Sequence, residues 1–124
     1  DLKIGKRVRA IDDIWSSTTY IEDLIDRVMM IRRAGLHGTY HIVNTGICSY
    51  YEFALESGRL AGLDHCHLDS LIEIIHERDM KRVAKRPRWT PLRCLLSEEL
   101  GLAPMRDWRT ALAAYAESTS GVLE

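Results

Sequence analysis

The chain has 124 residues, of which 46% are hydrophobic and 28% charged, and its 17 Lys and Arg against 18 Asp and Glu give a formal net charge of -1. This composition is typical of one small globular domain covering residues 1–124, and it excludes disordered, collagen-like and low-complexity chains. The near-zero charge disfavours a nucleic-acid binder, and no apolar run approaches the roughly 18 residues of a membrane span.

The chain begins with Asp1 and shows no signal-peptide pattern, so we interpret it as a piece of a longer polypeptide. Its three cysteines are Cys48, Cys66 and Cys94. Because they are odd in number, widely spaced and without a Cys-x-x-Cys motif, they predict reduced thiols and a cytoplasmic location rather than a disulfide framework.

The first predicted element is a helix from about Tyr20 to Arg33. Thr19 and Glu22 have the spacing of a capping box at its start. Apolar residues recur along it with helical spacing and predict one buried stripe, formed by Ile21, Leu24, Ile25, Val28 and Met29. Residues 38–44 are rich in β-formers and bounded by glycine, which predicts a strand, with a turn at Asn44-Thr45-Gly46.

A capping box at Ser49 and Glu52 predicts a second helix that ends near Gly62. Phe53 leads its predicted apolar face, so we expect Phe53 to anchor the core, with a cost of about 3–5 kcal/mol for Phe53→Ala if it is fully buried. Residues 63–68 form a weaker strand candidate. A further box at Ser70 and Glu73 predicts a helix to about residue 84.

Pro87 and Pro91 predict an extended segment over residues 85–90. Thr90 then caps a short predicted helix that ends at Gly101, and Asp107 caps the last one. Trp108 and Tyr115 lie on the apolar face of that last helix and are expected in the core. The order predicts a helix-rich α/β chain with two short strands, which need either further strands or helix packing for stability.

The sequence lacks several catalytic motifs. It contains no glycine-rich dinucleotide fingerprint, Walker loop, His-Glu-x-x-His or Gly-x-Ser-x-Gly, and no Tyr followed by Lys four residues later. We therefore assign no catalytic and no cofactor-binding residue to this chain.

Histidines and a cysteine cluster at His65, Cys66 and His67, with His76 further on. On a strand Cys66 would face away from its two neighbours, and a third and fourth ligand are not evident. Exposed histidines are the favoured interpretation, so we predict no metal site.

A basic run, residues 81–88, precedes Trp89. Arginine forks bind phosphate oxygens and an adjacent Trp can stack on a base or sugar, whereas the alternative is a solvated helix end whose cations complement the helix dipole. Asp12 and Asp13 precede Trp15 and a run of hydroxyl residues. Such a loop can bind sugar hydroxyls, and the alternative is helix-entry capping.

Five blocks of the chain resemble, in the same order, motifs of the dTDP-4-dehydrorhamnose reductases. The first is Asp12-Asp13-Ile14-Trp15-Ser16-Ser17-Thr18-Thr19-Tyr20 with Asp23-Leu24, similar to Asp-Asp-Gln-x-Gly-x-Pro-Thr-x-x-x-Asp-Leu. The others are Gly38-Thr39-Tyr40-His41-Ile42-Val43-Asn44-Thr45-Gly46, Cys48-Ser49-Tyr50-Tyr51-Glu52-Phe53-Ala54, Arg86-Pro87-Arg88-Trp89-Thr90-Pro91-Leu92, and Trp108-Arg109 with Ala111-Leu112. The chain departs from the family at Ile14, Ser16 and Thr18, and again at Arg93-Cys94-Leu95-Leu96.

The resemblance implies the C-terminal substrate-binding part of a Rossmann-type extended short-chain dehydrogenase/reductase. In that family an N-terminal domain, not present here, binds NADP or NAD and carries the catalytic Tyr and Lys, so the fragment alone is expected to be inactive and to bind no cofactor. The implied reaction is reduction of the 4-keto group of a dTDP-sugar. The alternative is a non-catalytic, reductase-like binding or regulatory module.

The resemblance also implies partners and site residues. The partners are a nucleotide-sugar and the N-terminal domain, with neither nucleic acid nor membrane, and a homodimer is left open. The substrate contacts that it implies are Asp13, Thr19, Arg86 and Arg88. Arg86 and Arg88 lie two apart on the predicted extended segment, so their guanidinium groups are expected to converge on one diphosphate.

Overall fold

The computed structural model describes residues 2–120, without the side chains of Lys3 and Ser120. The chain divides into two compact units, each built from two separate stretches. The first unit comprises Asp1–Ser16 and Cys48–Thr90, and the second comprises Ser17–Ile47 and Pro91–Glu124. No helix within residues 2–120 is long and apolar enough to cross a membrane.

The elements confirm a mixed α/β chain. The strands are β1 (Val8–Ile11), β2 (Trp15–Ser16), β3 (Cys48–Ser49), β4 (Ile72–Ile75) and β5 (Trp89–Thr90). The helices are α1 (Ile21–Arg33), α2 (Tyr50–Leu60), α3 (His65–Leu71), α4 (Leu95–Glu99) and α5 (Trp108–Ser120), with single 3₁₀ turns at Leu2–Ile4 and Glu77–Asp79.

The five strands found within residues 2–120 all belong to the first unit, where they form two small sheets. Strand β1 pairs in parallel with β4, and β2 lies between an antiparallel β3 and a parallel β5. Neighbouring residues of β1 point to opposite faces of the parallel pair, so each face carries its own core cluster. Ala10 packs with Leu68 and Ile72 in one cluster, and Ile11 packs with Ile14 and Ile75 in the other.

The capping box that opens α2 is confirmed. Ser49 Oγ accepts a hydrogen bond from the Glu52 N–H at 3.1 Å, and the Ser49 N–H donates to Glu52 Oε2 at 2.7 Å. The predicted apolar face is correct at Ala54 and wrong at Tyr50, which is exposed, because the helix packs against the core through Tyr51, Ala54 and Leu55. Phe53 is only half-buried. The cost of about 3–5 kcal/mol for Phe53→Ala assumed full burial, so it does not apply.

The two predictions for residues 63–84 are wrong. Residues 65–71 form α3, because the Asp64 carboxylate accepts from the His67 N–H at 2.9 Å and caps a helix there. The predicted box at Ser70 does not form, since Ser70 Oγ donates to the His67 carbonyl instead. Strand β4 follows directly, because pairing with β1 and burial of isoleucines at its two ends outweigh the local helix signals.

Residues 38–44 do not form the predicted strand. Their backbone groups have scattered partners instead of a neighbouring strand: the His41 N–H donates to Cys94 Sγ, Thr19 Oγ1 donates to the Ile42 carbonyl, and the Asn44 N–H donates to the Thr18 carbonyl. Thr19 therefore does not cap α1, whose N-cap residue is Tyr20. The segment joins α5 through Thr45, whose carbonyl accepts from the Trp108 N–H at 3.0 Å.

In the second unit, two predicted helix faces and one predicted helix boundary are wrong. In α1, Ile31 is buried whereas Ile21, Ile25 and Val28 of the predicted buried stripe are exposed. Asp107 caps α5 as predicted, since its carboxylate accepts from the Arg109 N–H at 2.9 Å. Trp108 is buried as expected, but Tyr115 is 52% exposed. Helix α4 begins only at Leu95, because Thr90 is part of β5.

Gly46 is expected to be intolerant of a side chain. Its φ is +83°, and a Cβ would lie 2.8 Å from both Asp107 Oδ2 and Trp108 Cδ1. Gly46→Ala should lower the free energy of unfolding by about 2–4 kcal/mol, combining left-handed strain with overpacking. Gly35→Ala is the control, because φ there is +64° with no atom within 4 Å of the Cβ. Equal urea midpoints for the two variants would contradict the packing argument.

Candidate functional site

The candidate site lies at the carboxyl ends of the parallel strands β1 and β4. Asp12 and Asp13 follow β1, and His76 and Glu77 follow β4. The Asp12 N–H donates to the Ile75 carbonyl at 3.2 Å, which keeps the two strand ends side by side. Carboxyl edges of parallel strands are a common place for ligand binding, because the loops that follow the strands converge there.

Two short contacts join the loops at this edge. Asp12 Oδ1 lies 2.7 Å from His76 Nδ1, and the Glu77 N–H donates to Asp13 Oδ1 at 2.8 Å. All four side chains are partly buried. Both aspartates therefore hold the loop after β1 against the loop after β4.

The basic run, residues 81–88, is held by the acids of this edge. Arg88 lies 3.5 Å from Asp13, Arg82 lies 3.5 Å from Glu77, and the Arg86 N–H donates to Glu77 Oε1 at 3.4 Å. The run contains no helix, so the interpretation of its charges as a dipole-complementing helix end is wrong. The acids fix the path of the backbone and leave cationic side chains on the surface.

Three of those cations are available to an external anion. Lys81, Lys85 and Arg86 are exposed, and none of them has an ionic partner among residues 2–120. Arg88 is also largely exposed, and its guanidinium retains donors beyond the single contact with Asp13. The segment can therefore present several N–H donors to phosphate oxygens.

Two tryptophans lie beside this cationic segment. Trp15 of β2 and Trp89 of β5 are register partners, with ring centroids 6.2 Å apart and planes inclined by 45°. The backbone N–H of Trp15 donates to the Arg88 carbonyl at 2.8 Å. This hydrogen bond holds the backbone of Arg88 beside the two tryptophans. Trp89 is 63% exposed.

The histidine cluster considered in the sequence does not form one site. His65 and His67 lie on α3 and contact Asp69 and Asp64, respectively. Within the described residues, possible ligand atoms come together at Asp12, Asp13 and His76, all within 4.8 Å of one another. These groups already have partners inside the protein, because Asp13 contacts Arg88 and the Glu77 N–H, and Asp12 contacts His76.

The four predicted contact residues divide between the units. Asp13 and Arg88 come together as an ion pair, and Arg86 is linked to them through Glu77. Thr19 belongs to the second unit, where its hydroxyl donates to the Ile42 carbonyl at 3.3 Å. Whether these residues contact a substrate stays a prediction.

The sequence interpretation missed a polar network in the second unit. Asn44 is 1% exposed; its Nδ2 donates to Asp23 Oδ2 at 2.6 Å and to the Arg106 carbonyl at 3.2 Å, while its Oδ1 accepts from the Tyr20 N–H at 2.7 Å. The Arg106 guanidinium also binds Asp23. Asn44 and Asp23 stand in blocks that carry the family resemblance, which is the one signal that could have found them.

This network is expected to make stability depend on pH. Hydrogen bonds from Arg106, and then from Asn44, hold the pKa of Asp23 below its ordinary value despite the opposing effect of burial. A lowered folded-state pKa stabilises the protein above the unfolded-state pKa, and this contribution is lost as pH falls through the folded-state pKa. The free energy of unfolding should therefore drop below about pH 4, and less steeply in Asp23→Asn.

The control for this titration is Asp26→Asn, which removes an exposed carboxylate from the same helix. Urea midpoints measured across the acid range should show the wild-type slope in Asp26→Asn. A flattened slope in the control alone would place the acid-sensitive group elsewhere.

A cavity of about 470 Å³ also lies within the second unit. Its lining includes Ile42, Leu92, Cys94 and Met105. Cys94 Sγ accepts from Ser97 Oγ at 3.1 Å and from the His41 N–H at 3.4 Å. Burial raises the pKa of the Cys94 thiol, but hydrogen bonds from Ser97, His41 and Leu96 together outweigh it, and the net shift is downward.

Comparison with known proteins identifies relatives along nearly the whole chain. The family model described as the RmlD substrate binding domain matches residues 2–120. The spore coat polysaccharide biosynthesis protein SpsK of Bacillus subtilis (strain 168) is 31% identical over 119 residues, covering 96% of this chain and 40% of its own length. The dTDP-4-dehydrorhamnose reductase of Streptomyces griseus is 34% identical, covering 85% of this chain and 35% of its own length.

Solved structures agree with the fold. The dTDP-4-dehydrorhamnose reductase of Clostridium acetobutylicum superposes with a TM-score of 0.82 at 28% identity, covering 96% of this chain and 41% of that protein. A Bacillus anthracis reductase, solved in complex with NADP, has the same TM-score at 23% identity, covering 94% of this chain and 41% of that protein. The chain thus spans about 40% of the length of the first of these relatives, and it belongs to the RmlD substrate binding domain family.

Proposed function

We propose that this chain is the substrate-binding part of an NAD(P)-dependent nucleotide-sugar reductase. It would hold a dTDP-linked 4-keto sugar while NADPH or NADH, bound by a dinucleotide-binding domain outside these residues, transfers a hydride to the keto carbon. The keto oxygen takes up a proton, and the product is the corresponding alcohol. Relatives named as dTDP-4-dehydrorhamnose reductases support this substrate class.

One observation within the chain carries the proposal. The Asp13–Arg88 pair fixes a cationic segment at the carboxyl edge of a parallel strand pair, immediately before an exposed tryptophan. A nucleotide-sugar has a diphosphate between two ring systems. The segment supplies charge for the diphosphate, and the partly buried acids beside it keep that charge in a fixed position.

The role of this chain is to bind and orient the substrate rather than to exchange protons or hydride. Its sequence has neither the glycine-rich fingerprint nor the Tyr and Lys pair that the reaction needs. The isolated chain is therefore expected not to oxidise NADPH in the presence of a 4-keto sugar nucleotide. The cysteines described in the structure are free thiols, which supports a cytoplasmic location for the intact protein.

Arg88→Ala tests the proposed diphosphate contact. The substitution should weaken dTDP-sugar binding roughly ten- to a hundredfold, because a charge-assisted hydrogen bond contributes about 1.5–3 kcal/mol. Arg86→Ala should weaken it similarly, and NADPH affinity should stay almost unaltered. Calorimetric titration of the full-length protein with each ligand measures these effects.

Arg78→Ala is the matched control, because Arg78 is an equally exposed arginine of the same unit whose contact is with Asp79, outside the basic run. Its affinities should equal those of the wild type. If Arg86→Ala and Arg88→Ala also bind the sugar nucleotide like the wild type, the basic run is only a solvated surface. If no sugar nucleotide binds at all, the chain is a non-catalytic module.

A further inference from the structure

Trp89 is the most exposed aromatic residue among residues 2–120, at 63%. A large apolar ring left in water forgoes the stabilisation that burial of its surface would give. Neither of the two sheets needs this ring for its core, because the core clusters of the first unit are formed by other side chains. The ring is therefore available to a ligand.

The ring is backed by a second tryptophan and stands on a fixed backbone. Trp15 is half-buried directly beside it, with ring centroids 6.2 Å apart. The Trp15 N–H donates to the Arg88 carbonyl at 2.8 Å, and Thr90 Oγ1 donates to the Trp15 carbonyl at 3.1 Å. Residues on both sides of Trp89 are thus bound to Trp15, and little conformational freedom remains to be lost on binding.

The charge beside the ring specifies the kind of ligand. Arg88 precedes Trp89 in the chain, and Lys85 and Arg86 lie just before it, exposed and without ionic partners among residues 2–120. An aromatic face followed by cations is complementary to an aromatic ring followed by phosphates. That combination is the nucleoside diphosphate end of a nucleotide-sugar.

We infer that Trp89, backed by Trp15, is the surface on which the nucleobase of the bound nucleotide stacks, while residues 85–88 contact its phosphates. This assignment rests on the proposed function and adds to it the place of the base. Base stacking on an aromatic side chain needs only the π-face of the base, so Trp89 contributes affinity without choosing among bases. Selection of thymine is expected to come from other groups.

Fluorine NMR of the full-length protein labelled with 5-fluorotryptophan gives a separate resonance for each tryptophan ring. The resonance absent from the Trp89→Phe variant identifies ring 89, and the buried Trp108 provides an internal reference. Titration with dTDP should shift the Trp89 resonance and leave that of Trp108 in place. Thymidine at higher concentration should shift it in the same direction, and inorganic pyrophosphate should have a smaller effect.

Affinity provides the second measurement. Trp89→Leu should weaken dTDP binding by roughly 5- to 150-fold, the range that corresponds to loss of one stacked base, and Trp89→Phe should retain most of the affinity. Pyrophosphate binding should stay the same in both variants. Tyr115→Leu is the control: Tyr115 is also exposed and also lies beside a second ring, that of Tyr20, at 6.2 Å.

The outcomes separate this inference from the proposed function. If dTDP binds but neither the Trp89 resonance nor the affinity of Trp89→Leu responds, the base lies elsewhere and the reductase proposal stands. If the Trp89 resonance shows no H₂O/D₂O solvent shift before ligand is added, protein rather than nucleotide covers the ring and the inference is wrong. If dTDP does not bind at all, the proposed function fails and the inference fails with it.

Discussion

Trp108→Ala is expected to lower the free energy of unfolding by about 3–5 kcal/mol, the usual cost of removing a large buried aromatic side chain. Trp108 is 1% exposed and is the first residue of α5. Its ring lies where a Cβ on Gly46 would come within 2.8 Å, and the Arg109 guanidinium lies 4.4 Å from the ring centroid. Truncation removes these contacts and leaves a cavity in place of the buried ring.

Urea unfolding followed by far-UV circular dichroism measures this cost without relying on tryptophan emission. Trp108→Phe should retain most of the stability, because it keeps an aromatic ring in the same place. Tyr115→Ala is the surface control on the same helix, since Tyr115 is 52% exposed. If Trp108→Ala shifts the midpoint no more than Tyr115→Ala does, the burial of Trp108 does not contribute to the stability of the second unit.

Asn44→Ala is expected to lower the free energy of unfolding by about 3.5–5 kcal/mol. The substitution removes three hydrogen bonds at once, of which the one to the Asp23 carboxylate is charge-assisted. Each neutral bond contributes about 1 kcal/mol and the charged one about 1.5–3 kcal/mol, and the partners lose more when they are left buried without water. Thr45→Ala, at the exposed next residue, is the control and should unfold close to the wild-type midpoint.

Asn44→Asp separates the loss of hydrogen bonds from the loss of volume. The new carboxylate would lie beside Asp23, and repulsion between the two charges raises its folded-state pKa. In its protonated form it can donate to Asp23 as the amide does. The stability gap to the wild type should therefore be small in mild acid and should widen as the pH rises through the folded-state pKa. A gap that is constant across this range would contradict the hydrogen-bond argument.

The sequence predicted those elements whose signals are local. The Ser49–Glu52 box and the Asp107 cap lie within three residues of the groups that they bind, so residue spacing alone identifies the starts of α2 and α5. Strand β4 could not be found in this way. Its pairing with β1 joins residues such as Val8 and Ile72, whose interaction depends on how the chain returns in space.

In the candidate site too, features that depend on local sequence could be predicted, and contacts between distant residues could not. The aspartates and the basic run were visible as residue types, but the ion pair between Arg88 and Asp13 was not predicted. The contacts that fix the site, Asp12 with His76 and Asp13 with the Glu77 N–H, both span 64 residues. Nothing in the local pattern around His76 or Glu77 marks them as partners of the aspartates.

The interleaving of the two units in the chain has a consequence for how the protein forms during synthesis. Both stretches of the first unit have been synthesised once Thr90 is made. Residues 17–47, by contrast, cannot complete the second unit until residues 91 onward follow. Over that interval the apolar residues that α1 buries, among them Ile31, have no completed unit to fold into, and chaperone binding or proteolysis is expected to concentrate there. The same arrangement means that no single cut in the chain separates the residues of one unit from those of the other.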